Sequence, residues 1–286
     1  MMTKRAVAAC LLLMVSCTHA SRQAATSALS PTLLPAGYRI AVVVMENKEY
    51  GDVAGNPRAP YLNALARKYA TAASYFAVSH PSLPNYLALI GGDTFGVTSD
   101  CTSCHVGERS LADQLQDKHV SWKAYMEGMP RPCFTGASAG RYAKKHNPFV
   151  YFDAVVADST ECGNVVPLAT IDYKALPDFV WVTPDLCNDT HDCSVATGDR
   201  YLETLVPKLL GGLGPRGVVV ITYDEGSSRT NGGGHVLTVL AGPGVRPGRY
   251  TKAFTHYSLL RTIEDAFGLG RLGRARTAPS LAEMLR

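Results

Sequence analysis

Three places in the sequence put reactive side chains directly after an apolar run. Val42-Val43-Val44-Met45 stops at Glu46-Asn47, and Val218-Val219-Val220-Ile221-Thr222-Tyr223 stops at Asp224-Glu225. The run Tyr75–Val78 leads into Ser79-His80-Pro81-Ser82-Leu83-Pro84-Asn85-Tyr86. In open α/β sheets ligands collect at the carboxyl ends of the parallel strands, so such positions are where a site is built. If the first two runs are parallel neighbours, Glu46, Asn47, Asp224 and Glu225 face one another. Three carboxylates and an amide gathered in this way call for a divalent cation, and oxygen-only donors favour Mg²⁺, Ca²⁺ or Mn²⁺ over Zn²⁺. Each pair taken singly also reads as an ordinary turn or helix cap. At the third place Pro84 falls in a first helical turn, where its missing N–H is not needed. A helix can therefore open right after Ser82 and aim its free N–H groups at a phosphoryl group on that oxygen. A serine hydroxyl is a weak nucleophile until a dication or a base holds it as alkoxide. Taken alone, Ser82 reads equally as an N-cap.

Other polar residues can complete such a site. Asn85, near one turn beyond Ser82, can donate to a phosphoryl oxygen. His146, His191 and His256 stand beside polar residues in expected loops, where imidazolium neutralises phosphate or protonates a leaving oxygen. Asp189 and Asp192 flank His191 and can orient its ring and raise its pKa. Asn188 and Asp189 are expected to hold substrate or the loop itself. Gly91-Gly92 and Gly232-Gly233-Gly234 lack the spacing and lysine of a phosphate-cradling P-loop and read as turns.

The segment His80-Pro81-Ser82-Leu83-Pro84-Asn85-Tyr86, with Met45-Glu46-Asn47 before it and Tyr223-Asp224-Glu225-Gly226 after it, resembles the bacterial phosphoesterase family of the alkaline-phosphatase-like superfamily. Lys145-His146-Asn147-Pro148, Asn188-Asp189-Thr190-His191-Asp192, Gly198-Asp199 and Thr255-His256-Tyr257-Ser258 extend the resemblance in order over most of the chain. The family includes secreted acid phosphatases and phospholipases C. The likeness is strongest to the short secreted acid phosphatases, one of which dephosphorylates phosphatidylinositol 3-phosphate. The resemblance implies one metal held by Glu46, Asn47, Asp224 and Glu225, with Ser82 as the nucleophile bridging metal and phosphate. His191 or His256 would protonate the leaving oxygen, and Asn85, His146, Asn188, Asp189 and Asp192 would lie on the substrate side. A phosphomonoester, with phosphoinositides among the candidates, is the expected substrate. A phospholipase C or other phosphodiesterase, and an inactive lipid- or phosphate-binding surface protein, are the alternatives. Many members of the wider superfamily carry Asp-His where this chain has Asp224-Glu225 and hold two zincs, so the glutamate points to one harder cation.

The elements that must position these residues follow from hydrophobic patterning. Short apolar runs at Ile40–Met45, Tyr75–Val78, Phe179–Val182, Val218–Thr222 and Val236–Ala241 lack polar alternation, as strands buried on both faces do. Helical spacing appears around Tyr61–Ala66, after Ser82, over Tyr201–Leu210 and over Leu259–Phe267. The alternation predicts an α/β fold with a largely parallel central sheet sandwiched between helices, in one domain over 38–286. Residues 97–175 show no regular pattern and read as loops capping the site.

Lys4 and Arg5, an apolar run Ala6–Val15 and then small polar residues form an export signal over residues 1–20, followed by a flexible lead-in over 21–37. Cleavage after Ala20 and a lipoprotein signal ending before Cys17, whose sulfur would carry lipid, are both open. The protein is thus expected to be secreted, periplasmic or lipid-anchored at the cell envelope. No later run reaches the roughly 20 apolar residues of a spanning helix. The net charge is +4, and removal of Lys4 and Arg5 leaves +2, which gives no reason to expect nucleic-acid binding. A monomer is expected. Six cysteines remain in the body, an even number that reads as disulfides in an exported chain. Closing short loops costs least entropy, which favours Cys101 with Cys104, Cys133 with Cys162 and Cys187 with Cys193.

Overall fold

The run that begins at Arg39 lies at the middle of a sheet because nothing in it tolerates water: Val42, Val43 and Val44 are each fully buried. Each contributes about 1.5–3 kcal/mol of hydrophobic stabilisation. The computed structural model describes residues 37–286 together with Met2 and Leu34. The expected cleavage sites at residues 17–20, and the lead-in before Gly37 apart from Leu34, lie outside the described residues.

Among the described residues the sheet has eight strands: β1 (Arg39–Met45), β2 (Ala70–Phe76), β3 (Trp122–Met126), β4 (Val165–Pro167), β5 (Phe179–Thr183), β6 (Gly217–Tyr223), β7 (His235–Ala241) and β8 (Gly248–Thr255). Their order is β8-β2-β7-β6-β1-β5-β3-β4. All neighbours are parallel except β7, which runs antiparallel to both β2 and β6. The larger helices are α1 (Pro60–Lys68), α2 (Ser82–Gly91), α3 (Leu111–Asp117), α4 (Val195–Leu213) and α5 (His256–Phe267). They flank the sheet, with α1 packed on α4 and α2 on α5. The α/β architecture and largely parallel sheet expected from the sequence are present. Among the described residues, no helix is long and apolar enough to cross a membrane.

Three strands were not expected. β3 and β4 come from the irregular stretch 97–175, where five and three residues are too short to show a period. That stretch also supplies α3, so it is more than a set of capping loops. β8 is an edge strand whose residues are mostly exposed, and polar side chains hide its strand character.

Packing details explain two sequence features. Asp199, inside α4, accepts hydrogen bonds from the N–H groups of Tyr61 (3.0 Å) and Leu62 (2.8 Å), satisfying donors in the first turn of α1. Beside it, a Cβ on Gly198 would lie 2.4 Å from Thr190 Cγ2 and 2.9 Å from Met45 Cε. Only glycine lets α4 come that close to the 188–193 loop.

The three disulfides are Cys101–Cys104, Cys133–Cys162 and Cys187–Cys193, the pairs that loop length favours. Cys133–Cys162 closes a 29-residue separation and ties the segment before the hairpin at 138–143 to the helical turn Ser159–Cys162 that precedes β4. Replacing both cysteines by alanine is expected to lower unfolding free energy by about 3–4 kcal/mol, measured by urea denaturation under non-reducing conditions. An unchanged midpoint would show that this crosslink constrains nothing.

Candidate active site

β1 and β6 are paired in parallel with Met45 opposite Tyr223, so the residues that follow emerge side by side. Glu46 and Asp224 are fully buried and Glu225 nearly so. Asn47 adopts a left-handed backbone (φ 58°), a conformation asparagine tolerates, and its N–H donates to Asp224 Oδ1 at 3.2 Å. The 188–193 loop closes over β1: the N–H of Glu46 donates to the carbonyl of Asp189 (2.8 Å), and Thr190 Oγ1 donates to the carbonyl of Glu46 (2.8 Å).

Helix α2 opens at Ser82, facing these strand ends. Ser82 Oγ donates to Glu46 Oε2 at 3.1 Å and stands 3.5 Å from Glu225 Oε1. Four residues on, and so on the same helix face, Tyr86 donates its hydroxyl proton to Glu46 Oε1 at 2.6 Å. The N-terminus of α2 is not left free as expected. Asp100 Oδ1 accepts from the N–H of Leu83 (3.0 Å), while Asp100 Oδ2 pairs with Lys145 Nζ (3.0 Å).

Hydrogen-bond partners change the roles expected of several residues. Lys145 Nζ lies 3.2 Å from His191 Nε2. An ammonium only donates, so Nε2 presents a lone pair and the ring proton sits on Nδ1, bonded to Asp192 Oδ1 at 2.7 Å. His191 in this arrangement is a neutral acceptor, not the proton donor the sequence suggested, and Asp192 orients it from a mostly exposed position. His256 is fully buried behind the strand end. Its Nε2 donates to the carbonyl of Asp224 (2.5 Å) and its Nδ1 accepts from Tyr75 Oη (3.1 Å). Burial pushes its pKa down to about 4, so His256 braces Asp224 and has no proton for a leaving group. Asn85 is also corrected: its Oδ1 accepts from the N–H groups of Val78 and Ser79, and its Nδ2 donates to the carbonyl of Ser79. It clamps the turn ahead of Ser82 and keeps no group for phosphate. Asn188 turns to Glu127, donating to both carboxylate oxygens at 3.1 and 3.0 Å, and holds the loop.

His146, expected in a loop as a cationic imidazole on the substrate side, is instead buried among the acids. Its Nε2 lies 3.2 Å from Glu46 Oε1 and its Nδ1 lies 3.4 Å from Asp189 Oδ2. Burial holds its pKa well below the ordinary imidazole value, so the ring is neutral. The acids move the other way. Burial, reinforced by Asp224 and Asp189, raises Glu46 well above the usual carboxylate range. Burial raises Asp189 and Asp224 each to about 8 and Glu225 to about 7, with neighbouring carboxylates adding to each. His146 Nε2, Asp189 Oδ2 and Asp224 Oδ2 have no hydrogen-bond partner among the described residues.

Orphaned donors and mutually repelling acids are what a cation satisfies. Ligand atoms of Glu46, His146 and His191 lie within 4.8 Å of one another, and His191 Nε2 would have to exchange the Lys145 ammonium for the cation to serve as a ligand. Asp224 and Glu225 stand beside this set on the Ser82 side. The donors are therefore nitrogen and oxygen, not oxygen alone, which removes the reason for preferring Mg²⁺, Ca²⁺ or Mn²⁺ over Zn²⁺.

Patterning did not assign roles to Tyr86, Asp100, Lys145 or His80, whose Nδ1 lies 2.8 Å from Glu225 Oε2. Tyr86 was the accessible one, since its spacing from Ser82 puts both on one face of a helix. A separate cavity of about 470 Å³, lined in part by Tyr50, Arg67, Tyr69, Leu237 and Arg249, includes none of the acids or histidines of this cluster.

A largely parallel sheet with acidic ends on adjacent strands, faced by a helix that opens at a serine, is a fold shared with solved structures of the alkaline-phosphatase superfamily. A protein of that superfamily from Vibrio parahaemolyticus superposes with a TM-score of 0.58 over 89% of this chain and 76% of that one, at 14% identity. Murine ectonucleotide pyrophosphatase/phosphodiesterase 5 gives 0.58 over 87% of this chain and all of that one, at 9% identity. The model of the Phosphoesterase family matches residues 55–270. The chain belongs to the phosphoesterase family and is a hydrolase of phosphoric esters. It is 35% identical over 260 residues to the phosphatidylinositol-3-phosphatase of Mycobacterium tuberculosis, covering 90% of this chain and 85% of that one. Similarity to the acid phosphatase of Aspergillus fumigatus is 29% over 265 residues, 86% of this chain and 58% of the fungal one. To the phosphate-repressible acid phosphatase of Penicillium chrysogenum it is 30% over 263 residues, 86% and 63% respectively. This chain thus spans about three-fifths of the length of these two fungal relatives.

The raised carboxylates make the stability of the cation-free protein depend on pH. In the unfolded chain these groups ionise near pH 4, whereas Asp189, Asp224 and Glu225 stay protonated in the fold up to about pH 7–8. Their contribution is complete below about pH 4 and is lost as pH rises through 7 and 8. In EDTA, the unfolding midpoint is expected to fall between pH 5 and pH 9, and to fall less in Asp224→Asn. A wild-type slope equal to that of Asp224→Asn would contradict the assignment.

Proposed function

We propose that this protein is an exported, metal-dependent phosphomonoesterase that works through a phosphoserine at Ser82. The observation that carries the reading is Ser82 Oγ set between Glu46 at 3.1 Å and Glu225 at 3.5 Å, beside buried donors that lack partners. Glu46, His146 and His191, with Asp224 and Glu225 adjacent, would hold a divalent cation. Bound there, the cation would lower the pKa of the serine hydroxyl and neutralise charge on the phosphoryl group.

The chain's own residues account for the remaining steps. The proton on Ser82 passes to a neighbouring carboxylate, and Oγ attacks phosphorus in line. The new Oγ–P bond forms as the ester P–O bond breaks, and the alcohol leaves with a proton from solvent. Lys145, held by Asp100, brings positive charge to the side of the cluster where phosphoryl oxygens would lie. Water then cleaves the Oγ–P bond, releasing phosphate and restoring Ser82. The M. tuberculosis relative supports a phosphoinositide monoester as substrate, and the fungal relatives support acid phosphatase activity on smaller monoesters. Three disulfides support an oxidising compartment.

Brief incubation with a ³²P-labelled monoester followed by acid quench is expected to leave label on the peptide carrying Ser82. Ser82→Ala is expected to lower kcat by roughly 10³-fold or more. Exhaustive chelation should abolish turnover, and Mg²⁺, Ca²⁺, Mn²⁺ and Zn²⁺ tried singly should identify the ion that restores it. Label elsewhere on an active enzyme rejects the phosphoserine, and activity that survives chelation rejects the cation. Faster turnover of bis-p-nitrophenyl phosphate than of p-nitrophenyl phosphate would identify a diesterase instead.

A further inference from the structure

Glu49 and His80 lie outside every role described so far, yet hydrogen bonds through Ser228 join them to one another, and His80 in turn stands in ion-pair contact with Glu225. The Glu49 carboxylate accepts four of these bonds. Oε2 takes the N–H groups of Ser227 (2.8 Å) and Ser228 (3.0 Å), and Oε1 takes Ser228 Oγ (2.9 Å) and the N–H of His235 (2.9 Å). These donors lie on both sides of the loop that leaves Glu225 and returns as β7. Four charge-assisted bonds to one carboxylate tie that loop to the segment following β1.

The loop is equally bound to the segment that carries the serine. The N–H of Gly233 donates to the carbonyl of Ala77 (3.2 Å), and the N–H of Ala77 donates to the carbonyl of Gly234 (3.0 Å). A Cβ on Gly233 would lie 2.4 Å from the carbonyl oxygen of Ser79, and one on Gly226 would lie 2.2 Å from Glu49 Oε2. The glycine run is thus required by close backbone approach on two sides.

From this knot the carbonyl of Ser228 meets His80 Nε2 at 2.8 Å. A carbonyl only accepts, so Nε2 carries a proton and the ring plane is fixed. His80 Nδ1 then faces Glu225 Oε2 at 2.8 Å, while Glu225 Oε1 faces Ser82 Oγ at 3.5 Å. One proton, on Nδ1 or on Oε2, closes this contact, and with that oxygen held the direction of the other is set.

We propose that Glu49 and His80 are positioning residues: Glu49 knots the 226–235 loop so that the Ser228 carbonyl holds His80, and His80 aims Glu225 at Ser82. The proposal rests on Ser82 and Glu225 belonging to the reactive centre. Partners that orient the residues of a metal-assisted site commonly change affinity or rate by about 10–100-fold when removed.

The test uses side chains that replace one half of the imidazole. In His80→Asn the amide nitrogen stands near the place of Nδ1 and can still reach Glu225. In His80→Gln it stands near the place of Nε2 and reaches Ser228 instead. His80→Ala is expected to lower kcat about 10–100-fold with KM within threefold. His80→Asn should recover activity over alanine, and His80→Gln should recover less. Glu49→Gln, which keeps one acceptor oxygen, should exceed Glu49→Ala. The double variant Glu49→Ala/His80→Ala should be no slower than the slower single, because both act along one path.

Mn²⁺ affinity, measured calorimetrically in the Ser82→Ala background, gives a readout free of turnover and should weaken in both alanine variants. Circular dichroism establishes that each variant is folded, and where an alanine variant is not, the Asn and Gln variants decide. Equal kcat for His80→Asn and His80→Ala, additive losses in the double variant, or unchanged Mn²⁺ affinity would overturn the proposal. Absence of label on wild-type Ser82 would instead overturn the phosphoserine reading, leaving the Mn²⁺ comparison to judge the Glu49–His80 path separately.

Discussion

Glu46, Asp189, Asp224 and Glu225 are drawn out of water at the carboxyl ends of the central strands, and their mutual repulsion is the constraint around which the site is built. Two unit charges 4 Å apart cost about 4 kcal/mol at an effective dielectric constant of 20. The fold holds the acids together nonetheless because β1 and β6 are buried on both faces over nearly all of their pairing: a one-residue shift would exchange the side chains packed on the two faces and offset the acids that follow. Apolar burial thus sustains a polar arrangement that would disperse if left to itself. Without a cation, the acids answer the strain by retaining protons.

Around this centre most polar side chains are engaged with one another, so reach decides role. His256, Asn85 and Asn188 carry groups suited to phosphate chemistry, but each is committed to backbone or to a neighbouring side chain. They make the centre stiff. His146 differs because its Nε2 faces Glu46 with no hydrogen-bond partner among the described residues, and Lys145 differs because it is partly exposed and cationic. The polar groups with chemistry left to do are those that the packing does not satisfy.

The phosphoesterase relatives and the site geometry meet at Ser82. Family membership establishes hydrolysis of phosphoric esters, and the position of Ser82 at the start of α2, between two strand ends, is where we propose that this activity lies. Loop contacts from distant parts of the chain complete it: the 188–193 loop, closed by its disulfide, on one side, and the glycine-rich loop before β7 on the other. Neither loop belongs to the sheet, yet both determine how its acidic ends are presented.

Much of this was legible in sequence. Long apolar runs are dictated by local composition, so β1, β5, β6 and β7, the parallel character of the sheet and the opening of α2 could be read directly, as could the acids that follow β1 and β6. The short strands β3 and β4 and the polar edge strand β8 could not, because their pairing is decided by neighbours far away in the chain. By itself the sequence determined which residues end the buried strands, and hence which acids and which serine come to their carboxyl ends. Only the tertiary structure decided what each polar group is free to do. Whether a histidine gives a proton, offers a lone pair or braces a carbonyl depends on the partner of its second nitrogen, and for His80, His191 and His256 that partner lies on another segment.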